Sequence, residues 1–134
     1  MIIMRILLID DEPVALTKLE LMLTNVGVCD NAASGIEATE YFVTAINENK
    51  PYDLVTIDIE LPDVTGLDLL NRFCLLERKN GIAASKKIMI TAHSNADYVV
   101  KARGQCDAFV VKPLRKNTLL EKIKELFPLD VGAV

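Results

Sequence analysis

Tryptophan is absent from the 134 residues, histidine occurs once, at His93, and aromatic side chains make up 5% of the chain. A core must therefore be built from aliphatic side chains, and with hydrophobic residues at 51% there are enough of them to exclude disorder. A lone histidine has no second candidate to share a metal with, and no serine or cysteine stands at diagnostic spacing from it. His93 reads as a loop residue near the end of a strand. Cys29, Cys74 and Cys106 are odd in number, far apart and without CxxC spacing. They form neither a disulfide framework nor a zinc site, and read as core fillers in a reducing, cytoplasmic setting. Basic surplus is also missing: the net charge is −4 and the pI near 5.0, which argues against a broad nucleic-acid surface. Long apolar runs are lacking too. Met1 to Ile9 is apolar apart from Arg5, but Asp10, Asp11 and Glu12 follow at once, so it is neither a signal peptide nor a membrane span. With no repeat, low-complexity tract or linker, residues 1–134 are expected to form a single domain.

What is present is alternation. Ile6 to Ile9 reads as an interior strand, and Pro13 suits the first position of a helix whose stripe is Ala15, Leu19, Met22 and Val26 with Leu16 and Leu23 beside it, closed by Gly27. Val28 to Ala32 is a second strand, and Ser34 with Glu37 makes a capping box for a helix carrying Ala38, Phe42, Ala45 and Ile46. The run Leu54, Val55, Thr56, Ile57 is short, apolar and bounded by Pro51 and Pro62, as a strand buried on both faces should be. Thr65 caps a third helix with Leu67, Leu70 and Cys74 on its stripe and Phe73 alongside. Ile88 to Ile90 forms a fourth strand ending at Thr91, with Lys86 and Lys87 reading as a solvated approach to it. A short fourth helix is expected from Ser94 or Asn95 to about Arg103. Ala108 to Val111 makes a fifth strand, and a fifth helix bears Leu119, Leu120, Ile123, Leu126 and Phe127 before Pro128 stops it. Strict strand and helix alternation means parallel pairing, right-handed crossovers and helices on both faces, a doubly wound α/β domain.

In such a fold ligands gather outside the carboxyl ends of the strands. Asp10 and Asp11 follow the first strand, Asp58 ends the third, Thr91 the fourth and Lys112 the fifth, so three carboxylates, a hydroxyl and an ammonium converge on one edge. Taken singly each has a plainer role: Asp11 and Glu12 at a helix N-terminus, Asp58 as a turn former, Thr91 as a strand-end cap, Lys112 as a solvated residue before Pro113. Their joint placement favours a site. Three close carboxylates need a cation to stay ionised, and oxygen donors with room for water suit Mg²⁺. A metal beside Asp58, with Lys112 and Thr91 to contact incoming oxygens, points to phosphoryl transfer onto an aspartate.

The motifs IDDEP, DIELPDVTG, MITAH and DAFVVKP, in that order, resemble the receiver domain of two-component response regulators, from about Arg5 to Phe127. The resemblance implies a flavodoxin-like five-stranded parallel sheet of order 2-1-3-4-5 with five helices, its core about 5–127 and a short C-terminal tail. It makes Asp58 the phosphoacceptor, with Asp11, Asp58 and the Glu60 carbonyl on Mg²⁺ and Asp10 holding the metal through water. Thr91 and Lys112 would contact the phosphoryl group, the backbone around Glu60 and Ala92 would help hold its oxygens, and Phe109 would be the aromatic switch. The implied protein is a stand-alone signalling phosphoacceptor, not a conventional enzyme, that catalyses its own phosphorylation and slow dephosphorylation. Its donor would be a histidine kinase or histidine phosphotransfer protein, and an unidentified protein partner would read the face made by the fourth helix, fifth strand and fifth helix, with no direct nucleic-acid or membrane contact. Some positions depart from the family pattern. Leu61 stands where Met is common, Phe109 replaces the frequent Tyr, and Gly104 lies one residue further from Phe109 than usual, with Gln105 in its place.

Three rivals fit less well. A phosphatase with an aspartate nucleophile would carry a DxDxT pattern, but Ile59 and Glu60 follow Asp58. Binding of flavin mononucleotide calls for a hydroxyl- and glycine-rich loop where Asp10, Asp11 and Glu12 would repel phosphate. A receiver-like scaffold that is never phosphorylated would not need the full acidic set with Thr91 and Lys112.

Overall fold

The computed structural model describes residues 3–92 and 104–128. Five strands alternate with helices: β1 (Met4–Ile9), α1 (Pro13–Met22), β2 (Gly27–Ala32), α2 (Gly35–Asn47), β3 (Leu54–Asp58), α3 (Gly66–Lys79), β4 (Lys86–Thr91), β5 (Ala108–Val111) and α4 (Lys116–Leu126). The strands form one parallel sheet in the order β2-β1-β3-β4-β5, so the chain starts one strand in from the edge and doubles back after β2. The described residues hold four helices. The helix expected between Ser94 and about Arg103, like His93, lies outside them.

The sheet is covered on both sides because its strands alternate apolar residues onto each face. Leu7, Ile9, Val55, Ile57 and Met89 pack with Ala38, Phe42 and Ala45 of α2 and Leu69, Leu70 and Phe73 of α3. Ile6, Leu8, Leu54, Ile88, Ile90 and Val110 pack on the other face with Leu16 and Leu19 of α1 and Leu119 and Ile123 of α4. The few aromatics are concentrated: Phe42 and Phe73 stack with ring centroids 4.0 Å apart, linking α2 to α3.

Three local readings change. Helix α1 ends at Met22, with Leu23 as its cap residue, and Gly27 opens β2 instead of closing the helix. A Cβ at Gly27 would lie 2.2 Å from the Met4 carbonyl oxygen, so the glycine serves close strand contact. The buried stripe of α3 is Leu69, Leu70, Phe73 and Glu77, with Leu67 and Cys74 at its margin. Lys87 is not solvated. Strand β4 begins two residues earlier than the apolar run suggests, and its alternation turns Lys87 inward with Met89, where it is only 1% exposed. Its Nζ lies 2.5 Å from Glu77 Oε1 and donates to the Ser85 carbonyl at 3.0 Å. Glu77 Oε2 accepts from both the backbone N–H and the hydroxyl of Ser85 at 2.7 Å, so both buried charges are hydrogen-bonded as well as paired.

Candidate functional site

Strand order reverses beside β1, and both chain directions deliver polar residues to the carboxyl edge there. Asp10 is the first residue after β1, yet its N–H still donates to the Ala32 carbonyl of β2 at 3.1 Å, so its backbone remains part of the sheet. Its Oδ1 accepts the Glu12 N–H at 3.0 Å, turning the chain into α1, where Pro13 supplies the first helical residue. Asp58 is the last residue of β3, and Ile59 N–H continues the ladder to the Ile90 carbonyl at 3.1 Å. The Glu60 N–H donates to Asp58 Oδ1 at 3.1 Å and orients the carboxylate. Behind Asp58 the chain returns closely. Gly66 N–H donates to the Ile59 carbonyl at 2.8 Å, and a Cβ on Gly66 would stand 2.7 Å from the Asp58 carbonyl oxygen.

Lys112 reaches across from the end of β5. Its N–H donates to the Thr91 carbonyl at 2.7 Å, which aligns the two strand ends, and its Nζ contacts Asp10 Oδ2 at 3.1 Å and Asp58 Oδ2 at 3.3 Å. Asp10 and Asp58 are 4% and 6% exposed, whereas Asp11 is open to solvent. Oxygens of Asp10, Asp11 and Asp58 all lie within 4.8 Å of one another, the one cluster of three or more such groups among the described residues. Thr91 ends β4 and is buried. Glu60 is exposed, and its backbone N–H meets Asp58. Phe109 packs against the core on the α2/α3 face, away from the carboxylates.

The electrostatics show a site short of positive charge. Burial pushes the Asp58 carboxyl up to about 6 and the Asp10 charge adds to this, while the Glu60 N–H and Lys112 pull the other way. Burial alone would lower the Lys112 ammonium, but its hydrogen bond to Asp10 and the charges of Asp58 and Asp10 outweigh that and hold it above its ordinary value. One ammonium faces three carboxylates, so a net of two negative charges remains when all are ionised. A purely oxygen donor set, open on the Asp11 side and undercompensated in charge, fits a hard divalent cation such as Mg²⁺.

The protein-family model of the response regulator receiver domain matches residues 6–124. The chain belongs to this family. Among curated relatives, the alkaline phosphatase synthesis transcriptional regulatory protein SphR of Synechococcus elongatus is 32% identical over 129 residues, covering 91% of this chain and 48% of that protein. The TorCAD operon transcriptional regulatory protein TorR of Escherichia coli is 36% identical over 124 residues, with 90% and 49% covered. The chain thus spans about half the length of these relatives, and less of some plant response regulators. A receiver domain protein from Methanospirillum hungatei has a TM-score of 0.79 at 30% identity, covering 99% of this chain and 100% of its own. Response regulator TrrA of Thermotoga maritima, solved in complex with Mg²⁺ and BeF, has a TM-score of 0.74 at 30% identity, with 92% and 99% covered. The receiver fold expected from the sequence, five parallel strands in the order 2-1-3-4-5 with flanking helices, is the one observed.

Two features of this receiver were not legible in its sequence. One is the buried Lys87–Glu77 pair. The other is Asp63, in the β3–α3 loop, whose carboxylate accepts the N–H groups of Gly35 and Ile36 at 2.8 Å each. Local pattern reading found only Ser34 at this helix start, because a cap supplied from 28 residues away leaves no short-range signal.

Proposed function

We propose that this chain is a Mg²⁺-dependent phosphoacceptor domain that takes a phosphoryl group onto Asp58 from a phosphohistidine on a histidine kinase or histidine phosphotransfer protein. The observation that carries this reading is a buried carboxylate at the end of β3 held between a second buried acid and the Lys112 ammonium. An Asp58 oxygen attacks phosphorus, the P–N bond breaks, the imidazole leaves and takes up a proton, and an acyl phosphate remains. Lys112 Nζ transfers one of its contacts from the carboxylates to a phosphoryl oxygen, and the Thr91 hydroxyl donates to another. Asp11, Asp58 and the Glu60 carbonyl, with Asp10 through water, would hold Mg²⁺, which when bound neutralises charge on the phosphoryl oxygens. A site built from carboxylates and water is open, so binding in the millimolar range or weaker is expected.

The domain turns over no separate substrate: it catalyses its own phosphorylation and slow dephosphorylation. Phosphate on Asp58 draws Lys112 and Thr91 toward it, and Phe109 moves with the space vacated near Thr91. This alters the face that carries β5 and α4, which a protein partner reads; the helix expected between Ser94 and about Arg103, which would share that face, lies outside the described residues. The cytoplasm is the natural setting for such a phosphorelay, and no described helix is long and apolar enough to cross a membrane. Incubation with acetyl phosphate and Mg²⁺ should yield one hydroxylamine-labile phosphate on Asp58, and Asp58→Asn should accept none. Label persisting in the variant, or mapping to another residue, would overturn the assignment.

A further inference from the structure

The start of α2 carries two side-chain caps of different origin. Ser34 Oγ accepts the Glu37 N–H at 3.2 Å, an ordinary local cap. The Gly35 and Ile36 N–H groups are taken instead by both oxygens of Asp63, which belongs to the loop between β3 and α3. These bonds, that from Gly35 first, hold the Asp63 carboxyl below its ordinary range despite its exposure. Such a carboxylate stabilises the start of α2 as any cap does, and because it comes from another element it also ties the loop to the helix.

That loop is short and fixed at both ends. At one end Glu60 N–H holds Asp58 Oδ1, and at the other Gly66 N–H holds the Ile59 carbonyl while Thr65 Oγ1 caps α3 through the Asp68 N–H at 3.1 Å. Glu60 and Thr65 pair as an isolated antiparallel bridge, which leaves residues 61–64 as the turn of a small closed loop. Asp63 sits in that turn, and beside it Val64 lies so close to Gly35 that a Cβ there would stand 2.0 Å from Val64 Cγ1. The loop is thus pressed and hydrogen-bonded onto the α2 terminus at two adjacent residues.

We propose that Asp63 is a positioning residue for the acidic site: by clamping the β3–α3 loop to the N-terminus of α2 it fixes the backbone that presents Glu60 to Asp58. This rests on the reading of the Asp10, Asp11 and Asp58 cluster as a Mg²⁺ site. Asp63 touches none of those carboxylates; it acts through the peptide units between itself and Glu60. Its loss frees the turn to shift while the sheet and α2 remain in place. Outer partners of metal sites commonly change affinity 10–100-fold, and an indirect clamp belongs at about the lower figure.

The test compares wild type with Asp63→Ala, Asp63→Asn and Ser34→Ala, following backbone amide resonances before and during titration with Mg²⁺ alone, together with thermal melts. Asp63→Ala should move the Glu60 amide resonance in metal-free protein and weaken Mg²⁺ binding by about tenfold. Asp63→Asn, which offers one amide oxygen where the carboxylate offered two, should fall between it and wild type. Ser34→Ala removes a cap from the same helix without touching the loop, so it should lower the melting temperature and leave Mg²⁺ affinity unchanged. Wild-type affinity and an unmoved Glu60 resonance in Asp63→Ala would overturn the clamp alone. An equal loss in Ser34→Ala would assign the effect to α2 stability and also overturn it. If wild type itself shows no Mg²⁺ response at residues 10, 11 and 58, the metal-site reading fails, and the Glu60 resonance still decides whether the loop is held.

Discussion

Asp58 is nearly enclosed and faces Asp10, and its carboxyl is pushed up to about 6 by burial first and by Asp10 second. A carboxyl whose folded value lies above its unfolded value binds more protons in the folded state, so in metal-free protein stability falls as pH rises from about 4 to about 6 and stays lowered above that. Solvent screening limits the penalty to on the order of 1–2 kcal/mol. Asp58→Asn removes the charge and keeps the shape. Urea unfolding in the absence of metal should show it more stable than wild type near pH 7, with the difference gone near pH 4. The same titration would govern the metal: if ionised Asp58 is a ligand, as proposed, Mg²⁺ affinity should decline as pH falls through about 6. A variant no more stable than wild type near pH 7 would mean that Asp58 carries no buried charge.

Pairs of elements carry the next level of constraint. Helix α3 and strand β4 are joined by the Lys87–Glu77 pair, with side chains 2% and 4% exposed. Removing one partner from a buried ion pair costs about 3–5 kcal/mol, since an uncompensated charge is left behind, whereas replacing both by apolar residues is often neutral. Glu77→Ala should therefore lower stability by about that amount. The double change Glu77→Leu with Lys87→Met should recover most of it, and equal losses in the two proteins would argue against a charge effect. Strand β5 links the site to the face beyond. Its pairing puts Phe109 opposite Met89 and Val111 opposite Thr91, so Phe109 lies on the α2/α3 face two residues from the strand end. Phe109 has no hydroxyl to keep it in water and is already partly buried against that core. If Phe109 is the proposed switch, part of its inward state should then be populated before phosphorylation, and the gain in partner affinity should be modest within the roughly 5- to 150-fold range of allosteric coupling. Thr91→Ala should still accept phosphate but lose most of that gain; full phosphorylation-dependent affinity in the variant, measured by calorimetry with an identified partner, would exclude coupling through Thr91.

Across the whole molecule the acidic site is a liability that binding relieves. A cation that binds only the folded chain stabilises it by mass action, by about 1.4 kcal/mol at ten times its dissociation constant. For a domain of this size that raises the melting temperature by about 5 °C. Scanning calorimetry should show such a rise with Mg²⁺ and much less with Asp11→Asn, which removes an exposed member of the proposed metal site and no core contact. An equal rise in both proteins would place the cation elsewhere.

Much of this protein was readable in one dimension because its determinants are local and periodic. Apolar β-branched runs at Ile6 to Ile9, Leu54 to Ile57 and Ile88 to Ile90 specify buried parallel strands, and the polar residue after each run must then fall on the carboxyl edge. That logic brings Asp10, Asp11, Asp58 and Lys112 together before any coordinates are known, and the structure places the three carboxylates within 4.8 Å of one another, with Lys112 in contact with Asp10 and Asp58. Local signals also sufficed for the caps at Ser34 and Thr65, whose acceptor and donor lie three residues apart. They failed where the partner is distant. Lys87 reads as a solvated charge until α3 brings Glu77 beside it, and nothing local marks Asp63 until the loop folds onto α2. Gly27 likewise reads as a helix stop until β1 is seen to pass against it. Periodicity states which way a side chain points, but only the packing of separate elements decides what it meets there.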